Sequence, residues 1–208
     1  VVVSTPEEIV NLGFDIIGES PIVSITGPTN KAEKFAARHY APARDLLLRR
    51  HIWVFAKKWL KLTQESELTL DVDRPFAYKL SAEVVRVIRP SDTEWRIVGR
   101  EIYSGIDGGL TVLCIVNDKS PAEFDALFVD ALAALFALRY AEIRTQSDNK
   151  KARAILIYKE AIHEAKSVNA LEEPHRMVFP DHASLYLAGH DGQVEAALSR
   201  QAVVAGGS

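Results

Sequence analysis

Apolar residues along this chain keep two beats, one near 3.6 residues and one near 2, and the beat changes twice. Ile9, Leu12, Ile16 and Ile17 fall on one side of a helix. Thr5-Pro6-Glu7-Glu8 supplies its start: Thr5 caps, Pro6 sits where a missing N–H costs nothing, and Glu8 closes a capping box. Gly18 ends it. Ser20-Pro21 and Gly27-Pro28 bracket a connection, and Asn30 with Glu33 offers a second cap before a long helix through Lys34 to Arg50. In that helix Phe35, Ala36, Ala43, Leu46 and Leu47 recur at three- and four-residue steps. Pro42 has no N–H to give, which predicts a kink or break near Tyr40. Ile52, Trp53, Val54 and Phe55 are too dense in bulky β-formers to prolong a one-sided surface helix, and read as an aromatic plug at its end.

From Glu67 to Val116 the beat shortens. ELTLDV, FAYKL, VVRVI, WRIVGREIYS and LTVLCIV are runs rich in β-branched and aromatic residues, separated by Pro75, Pro90-Ser91-Asp92 and Asp107-Gly108-Gly109. The last of these separators reads as a hairpin turn. The helical beat returns at Ser120-Pro121-Ala122-Glu123, a second Thr5-type capping pattern. Phe124, Leu127, Phe128, Ala131, Leu135 and Leu138 then form an apolar stripe several turns long. Ala131, Ala133, Ala134, Ala137 and Ala141 thin its faces, so a neighbouring helix can approach closely. After Thr145-Gln146-Ser147-Asp148 comes a last helix, with Ala152, Ile155, Leu156, Ile162 and Ala165 facing one way and Lys159, Glu160, Glu164 and Lys166 facing water. Pro174 stops it.

The expected fold class is α+β, mainly α: a helical bundle with an inserted small antiparallel β-sheet and an extended C-terminal tail. Residues 1–174 form a single domain, with a helical core over 5–62 and 120–173 and a β-rich insertion over 67–116. Residues 175–208 form the tail, where periodicity is lost but Met177, Val178, Phe179, Leu185 and Tyr186 provide apolar anchors for docking on a partner.

Composition narrows this picture. A chain of 208 residues, 48% hydrophobic, buries a real core in one domain. No apolar run approaches the roughly 20 residues that span a bilayer, and no signal-peptide pattern opens the sequence, so a soluble protein without a membrane partner is expected. A net charge of −3 argues against a dedicated DNA-binding domain. The charge is uneven, however: nine Lys or Arg between Lys31 and Leu62 against Glu33 and Asp45 give +7, leaving −10 for the remainder. Such polarity suits packing beside copies of itself or a differently charged partner, and also describes a solvated helix face.

Candidate chemistry is sparse. Cys114 lies inside LTVLCIV and reads as a buried structural thiol. His182 and His190 have Asp181 and Asp191 beside them, but no His-Glu-x-x-His pattern or cysteine pair accompanies them, so no metal is expected. His39, His51 and His163 read as surface or interface residues on helices. No nucleophile elbow, phosphate loop or dinucleotide fingerprint occurs, so no catalytic residue and no cofactor are assigned and the chain is not read as an enzyme. Arg44-Asp45 and Arg49-Arg50 are either anchors for a neighbouring carboxylate or an internal salt bridge with a solvated cluster. Trp53 and Phe55 have apolar neighbours and read as core, although Trp53 is also of the residue type that anchors interfaces.

The run RDLLLRRHIWVFAKK, from Arg44 to Lys58, resembles a segment of phage head-to-tail connector proteins, also called adaptors or, in short-tailed phages, tail tubular protein A. Three further stretches resemble that family in the same order. They are Trp95 to Ile102, the helix FDALFVDALAALFALRYA, and a closing helix with Thr145, Gln146, Ser147, Tyr158, Ala161, Glu164, Ala165, Asn169, Ala170 and Glu172 in the family's spacing. The similarity spans roughly Lys34 to Glu173. Where the family carries proline after the histidine of the basic step, this chain has Ile52.

The resemblance implies a structural virion protein at the head–tail junction, made in the host cytoplasm. It implies a dodecameric ring of this chain that binds the portal protein on one side and the tail nozzle protein on the other. Genomic DNA would pass through the ring's channel without sequence-specific binding. Interface candidates are then Arg44, Arg49, Arg50, Trp53, Met177, Phe179, Leu185 and Tyr186. The alternative from another class is a DNA-binding module that uses the basic helix 31–61, with Trp53 stacking.

Overall fold

In the computed structural model, which describes residues 3–68, 71–92, 94–118, 120–145 and 147–172, local capping chemistry sets the first two helices. Helix α1 (Pro6–Ile17) opens on a complete Thr5–Glu8 capping box and closes on Gly18 at φ 64. Helix α2 (Lys31–Arg50) opens on the equivalent Asn30–Glu33 box. Carboxylates also pin the connection between them. Glu33 accepts from the Thr29 N–H and hydroxyl at 2.7 and 2.8 Å, and from the N–H groups of Asn30 and Val23 at 3.2 and 3.3 Å. These bonds, led by those from Thr29, hold its carboxyl at about 2. Helix α2 runs without a break through Pro42.

Beyond Arg50 the chain departs most from the expected helix. Residues 57–62 are not the end of a helix but strand β1 (Lys57–Leu62), reached through a short 3-10 turn at Val54–Ala56. The helical segment therefore ends at Arg50, and the β-rich part begins at 57 rather than 67. Six strands follow: β2 (Gln64–Leu68), β3 (Phe76–Lys79), β4 (Val84–Pro90), β5 (Trp95–Val98), β6 (Glu101–Ser104) and β7 (Leu110–Val116). They make two antiparallel sheets instead of one, ordered β1-β7-β4 and β2-β3-β6-β5. Asp107-Gly108-Gly109 consequently joins strands of different sheets and is not a hairpin. The tight turn is at Gly99-Arg100, where Val98 pairs Glu101 and Gly99 takes φ 61.

Strand β7 explains the layering. Leu110, Val112, Cys114 and Val116 point into a core shared with Tyr78 and Ile102 of the other sheet, while Ile115 joins the core of the helices. The three-stranded sheet is thus the middle layer. Irregularities in β4 after Val84 and Val87 insert Val85 and Ile88, and both pack against the helical core.

The helical core is built around α3 (Ala126–Arg144), against which α1, α2 and α4 (Asp148–Glu172) pack. Ser120-Pro121-Ala122-Glu123 does form its capping box, but this closes only a 3-10 turn. The α-helix starts later, on Asp125, which accepts from the N–H groups of Leu127 and Phe128. All five alanines expected to thin its faces are buried. Their use is visible at Gly13 of α1, where an added Cβ would lie 2.7 Å from the Ala133 carbonyl oxygen. The molecule is α+β and mainly α. Among the described residues no helix is long and apolar enough to cross a membrane. Residues 173–208, with Met177, Phe179, Leu185, Tyr186, His182 and His190, lie outside the described residues.

Candidate functional site

The segment that carries the first resemblance folds into a corner between the helices and the middle sheet. After Arg50 the chain turns extended at His51 (φ −143, ψ 161) without needing a proline at position 52. Trp53 folds back under the helix end and donates its indole N–H to the Leu47 carbonyl at 2.9 Å, satisfying one of the acceptors that a helix C-terminus leaves open. Its ring meets Phe128 edge-on at 5.0 Å, and Phe55 meets the same ring at 4.9 Å. Trp53 is 1% exposed, so it is a core residue of this chain and presents no surface to a partner.

Helix α4 latches this corner with a polar residue. Asn169 is buried, and its Oδ1 accepts the Val54 N–H at 2.8 Å. Its Nδ2 donates to the Ile52 carbonyl at 2.8 Å and lies 3.0 Å from His51 Nε2. A second tie runs from Arg50 to the Tyr158 hydroxyl at 2.6 Å. His51, expected on a helix surface, is therefore a corner residue between Asn169 and the Trp53 ring, 5.0 Å away. Sequence reasoning passed over Asn169 and Tyr158 as bonding partners. The available signal was an asparagine on the inner side of a helix, a residue that must find partners when buried.

The three arginines offered as anchors all have partners within the chain. Arg44 pairs with Asp45 at 2.8 Å, and Asp45 also accepts from Asn117 at 3.3 Å. Arg49 donates to the Val85 carbonyl at 2.8 Å, and Arg86 reaches back to the Arg49 carbonyl at 3.5 Å. Arg49 and Arg50 thus brace α2 against β4 and α4, while both remain exposed enough to meet a neighbour.

The cations of 31–61 are split between two elements. Lys31 to Arg50 lie on α2, whereas Lys57 and Lys61 lie on β1 beside Trp59, which is 54% exposed. By register Lys57, Trp59 and Lys61 oppose Ile115, Leu113 and Thr111, and Arg86 and Arg89 flank the same row from β4. The Arg89 guanidinium sits 5.6 Å from the Trp59 ring centre. The exposed aromatic on this basic face is Trp59, not Trp53.

For covalent chemistry the geometry offers little. Cys114 is fully buried between the sheets, and burial pushes its thiol up to about 11, far from a reactive thiolate. Among the described residues no group of three His, Cys, Asp or Glu is placed to hold a metal ion. Compared with models of known protein families and with curated proteins, the chain matches none.

Proposed function

We infer that this chain is the subunit of a phage head-to-tail adaptor, a ring seated between the portal and the tail nozzle around the channel through which the genome leaves. One observation carries the reading beyond resemblance in sequence. The two stretches most similar to the connector family, Arg44 to Ala56 and Gln146 to Glu173, are the two that interlock. The bonds between them come from residues of the closing pattern, Asn169 and Tyr158. A corner tied in this way sets the angle between the helices and the sheets, and that angle is what a ring subunit must hold constant from copy to copy. The work is fitting, not turnover, and needs neither cofactor nor catalytic residue.

Electron microscopy of the purified chain mixed with its portal tests this. Rings added to the portal's tail-facing end are expected, and a portal that stays bare in the presence of excess chain overturns the reading. A second reading, DNA binding, is favoured by the basic face around Trp59 and Arg89. It predicts a salt-dependent mobility shift of duplex DNA that Trp59→Ala and Arg89→Ala weaken, each without changing the melting temperature.

A further inference from the structure

Two hollows of opposite charge lie on the helical part of the molecule. The first follows α3 between α1 and α4, as two adjoining depressions of about 410 and 350 Å³ that share Leu12 and Asp130. Its floor is apolar, with Leu12, Ile16, Val129 and Ala133, and its rim carries Asp130 from α3 and Glu160 and Glu164 from α4. None of these three carboxylates has an ion-pair partner among the described residues. Burial, reinforced by the nearby charges of Glu164 and Asp125, raises the Asp130 pKa.

The second is a cleft of about 240 Å³ between the first half of α2 and the end of α3, lined by Lys31, Lys34, Arg38 and Arg144 around Phe35 and Ile143. No carboxylate lines it, and its four cations lack ion-pair partners among the described residues. Ile143 is 60% exposed at its edge.

We propose that the acidic groove and the cationic cleft are the two halves of one head-to-tail contact between copies of this chain. The inference rests on the ring reading above and names the surfaces that would close the ring. Charge and polarity match: an exposed isoleucine fringed by long cationic side chains meets an apolar floor rimmed by carboxylates. Position matches as well. Asp130 and Ile143 are thirteen residues apart on α3, hence roughly 140° apart around the helix and about 20 Å along it. The two surfaces therefore open on different flanks. A copy that seats its cleft on one neighbour leaves its groove open to the next, the geometry of a heterologous contact that closes by rotation.

Charge reversal with rescue is the test, read by sedimentation of the full-length chain at low ionic strength. The variants are Lys34→Glu with Arg38→Glu, Glu160→Lys with Glu164→Lys, and all four together, each checked for an unchanged helical circular-dichroism spectrum and melt. Each reversed pair is expected to weaken self-association about ten-fold or more, and the four-fold variant to recover it. A wild-type chain that stays monomeric to the highest attainable concentration overturns the proposal. So does association insensitive to the reversals, or a four-fold variant no better than either pair. Loss of a DNA mobility shift in the Lys34→Glu, Arg38→Glu variant, with association unchanged, assigns the cleft to nucleic acid instead. Rings that assemble on the portal regardless of all four substitutions sink this contact and leave the adaptor reading standing. Reversal and rescue in solution, with a portal that stays bare, does the opposite.

Discussion

Helices α3 and α4 lie side by side, yet they are held in the molecule by different means. Helix α3 is buried from Phe128 to Ala137, Asp130 excepted: Phe128, Leu132, Phe136 and Ala137 are inaccessible, and its alanines let α1 come within backbone contact at Gly13. Helix α4 is six residues longer by its bounds but buries only Ala154, Ala165 and Asn169. Its larger apolar residues face outward, with Leu156 at 58% and Leu171 at 82% exposure. One helix is the post around which the others pack, and the other is a wall fixed by small residues and a polar latch. A wall of that kind can keep its outer side for something else, which is what a subunit of an assembly needs.

The sharpest way to break this contrast is to truncate one apolar residue on each helix. Phe128→Ala removes a ring that contacts Trp53, Phe55 and Phe124, and should cost about 3–5 kcal/mol in denaturant unfolding. Leu156→Ala should stay within about 0.5 kcal/mol, because little surface is uncovered. Comparable losses at the two positions would mean that α4 is packed as α3 is. The latch is next in size. Asn169→Ala leaves the Val54 N–H and the Ile52 carbonyl without their partner at the corner, a loss of about 1–3 kcal/mol. Because Trp53 is held by the same corner, its fluorescence should shift toward that of a wetter indole. An unchanged spectrum and an unchanged midpoint together would show that the latch is decorative.

These contrasts were only partly visible in the sequence. Caps read well because they are local chemistry: Thr5 with Glu8, Asn30 with Glu33, and Gly18 each act within four residues. The stripe of α4 read poorly. Ile155 and Leu156 look like its inner face by hydropathy, whereas the observed face follows Ala154, Tyr158, Ala161, Ala165 and Asn169. Spacing fits both faces, and only the close approach of α3 decides for the smaller residues. KKWLKL reads as part of the basic helix because its charges continue those of α2, although its alternation also permits a strand. The division into two sheets was not legible at all. It depends on β1 pairing with β7, some fifty residues away, a contact that no local pattern encodes. For the candidate site, the similar stretches could be named, but their meeting through Asn169 could not, for the same reason.

Gly13→Ala sharpens the contrast from the other side. In an exposed helix the change would gain up to about 1 kcal/mol of helix propensity. Here the new methyl would press on the Ala133 carbonyl oxygen at 2.7 Å, backbone that cannot swing aside, and overpacking costs about 1–3 kcal/mol. A net loss near 1 kcal/mol is expected, measurable as a lowered midpoint. Any stabilisation would show that α1 and α3 have room between them.

The smallest effect is expected at the seam between the two helices, where Asp130 of α3 faces Glu164 of α4. Burial first, and the charge of Glu164 second, raise the Asp130 pKa above its ordinary 3.8. The folded chain therefore holds this proton more tightly than the unfolded chain, so ionised Asp130 opposes folding at neutral pH. That cost is present above the raised folded value and fades as pH falls through it toward 3.8. Asp130→Asn should accordingly be slightly more stable than wild type at pH 7, measured dilute, with the advantage shrinking as pH drops through that window. Part of the side chain is exposed to water, so the gain should be modest. A gain that persists unchanged below 3.8 would point to packing of the amide instead of relief of charge. A loss at neutral pH would mean that attraction to a cation of the chain outweighs burial and the charge of Glu164.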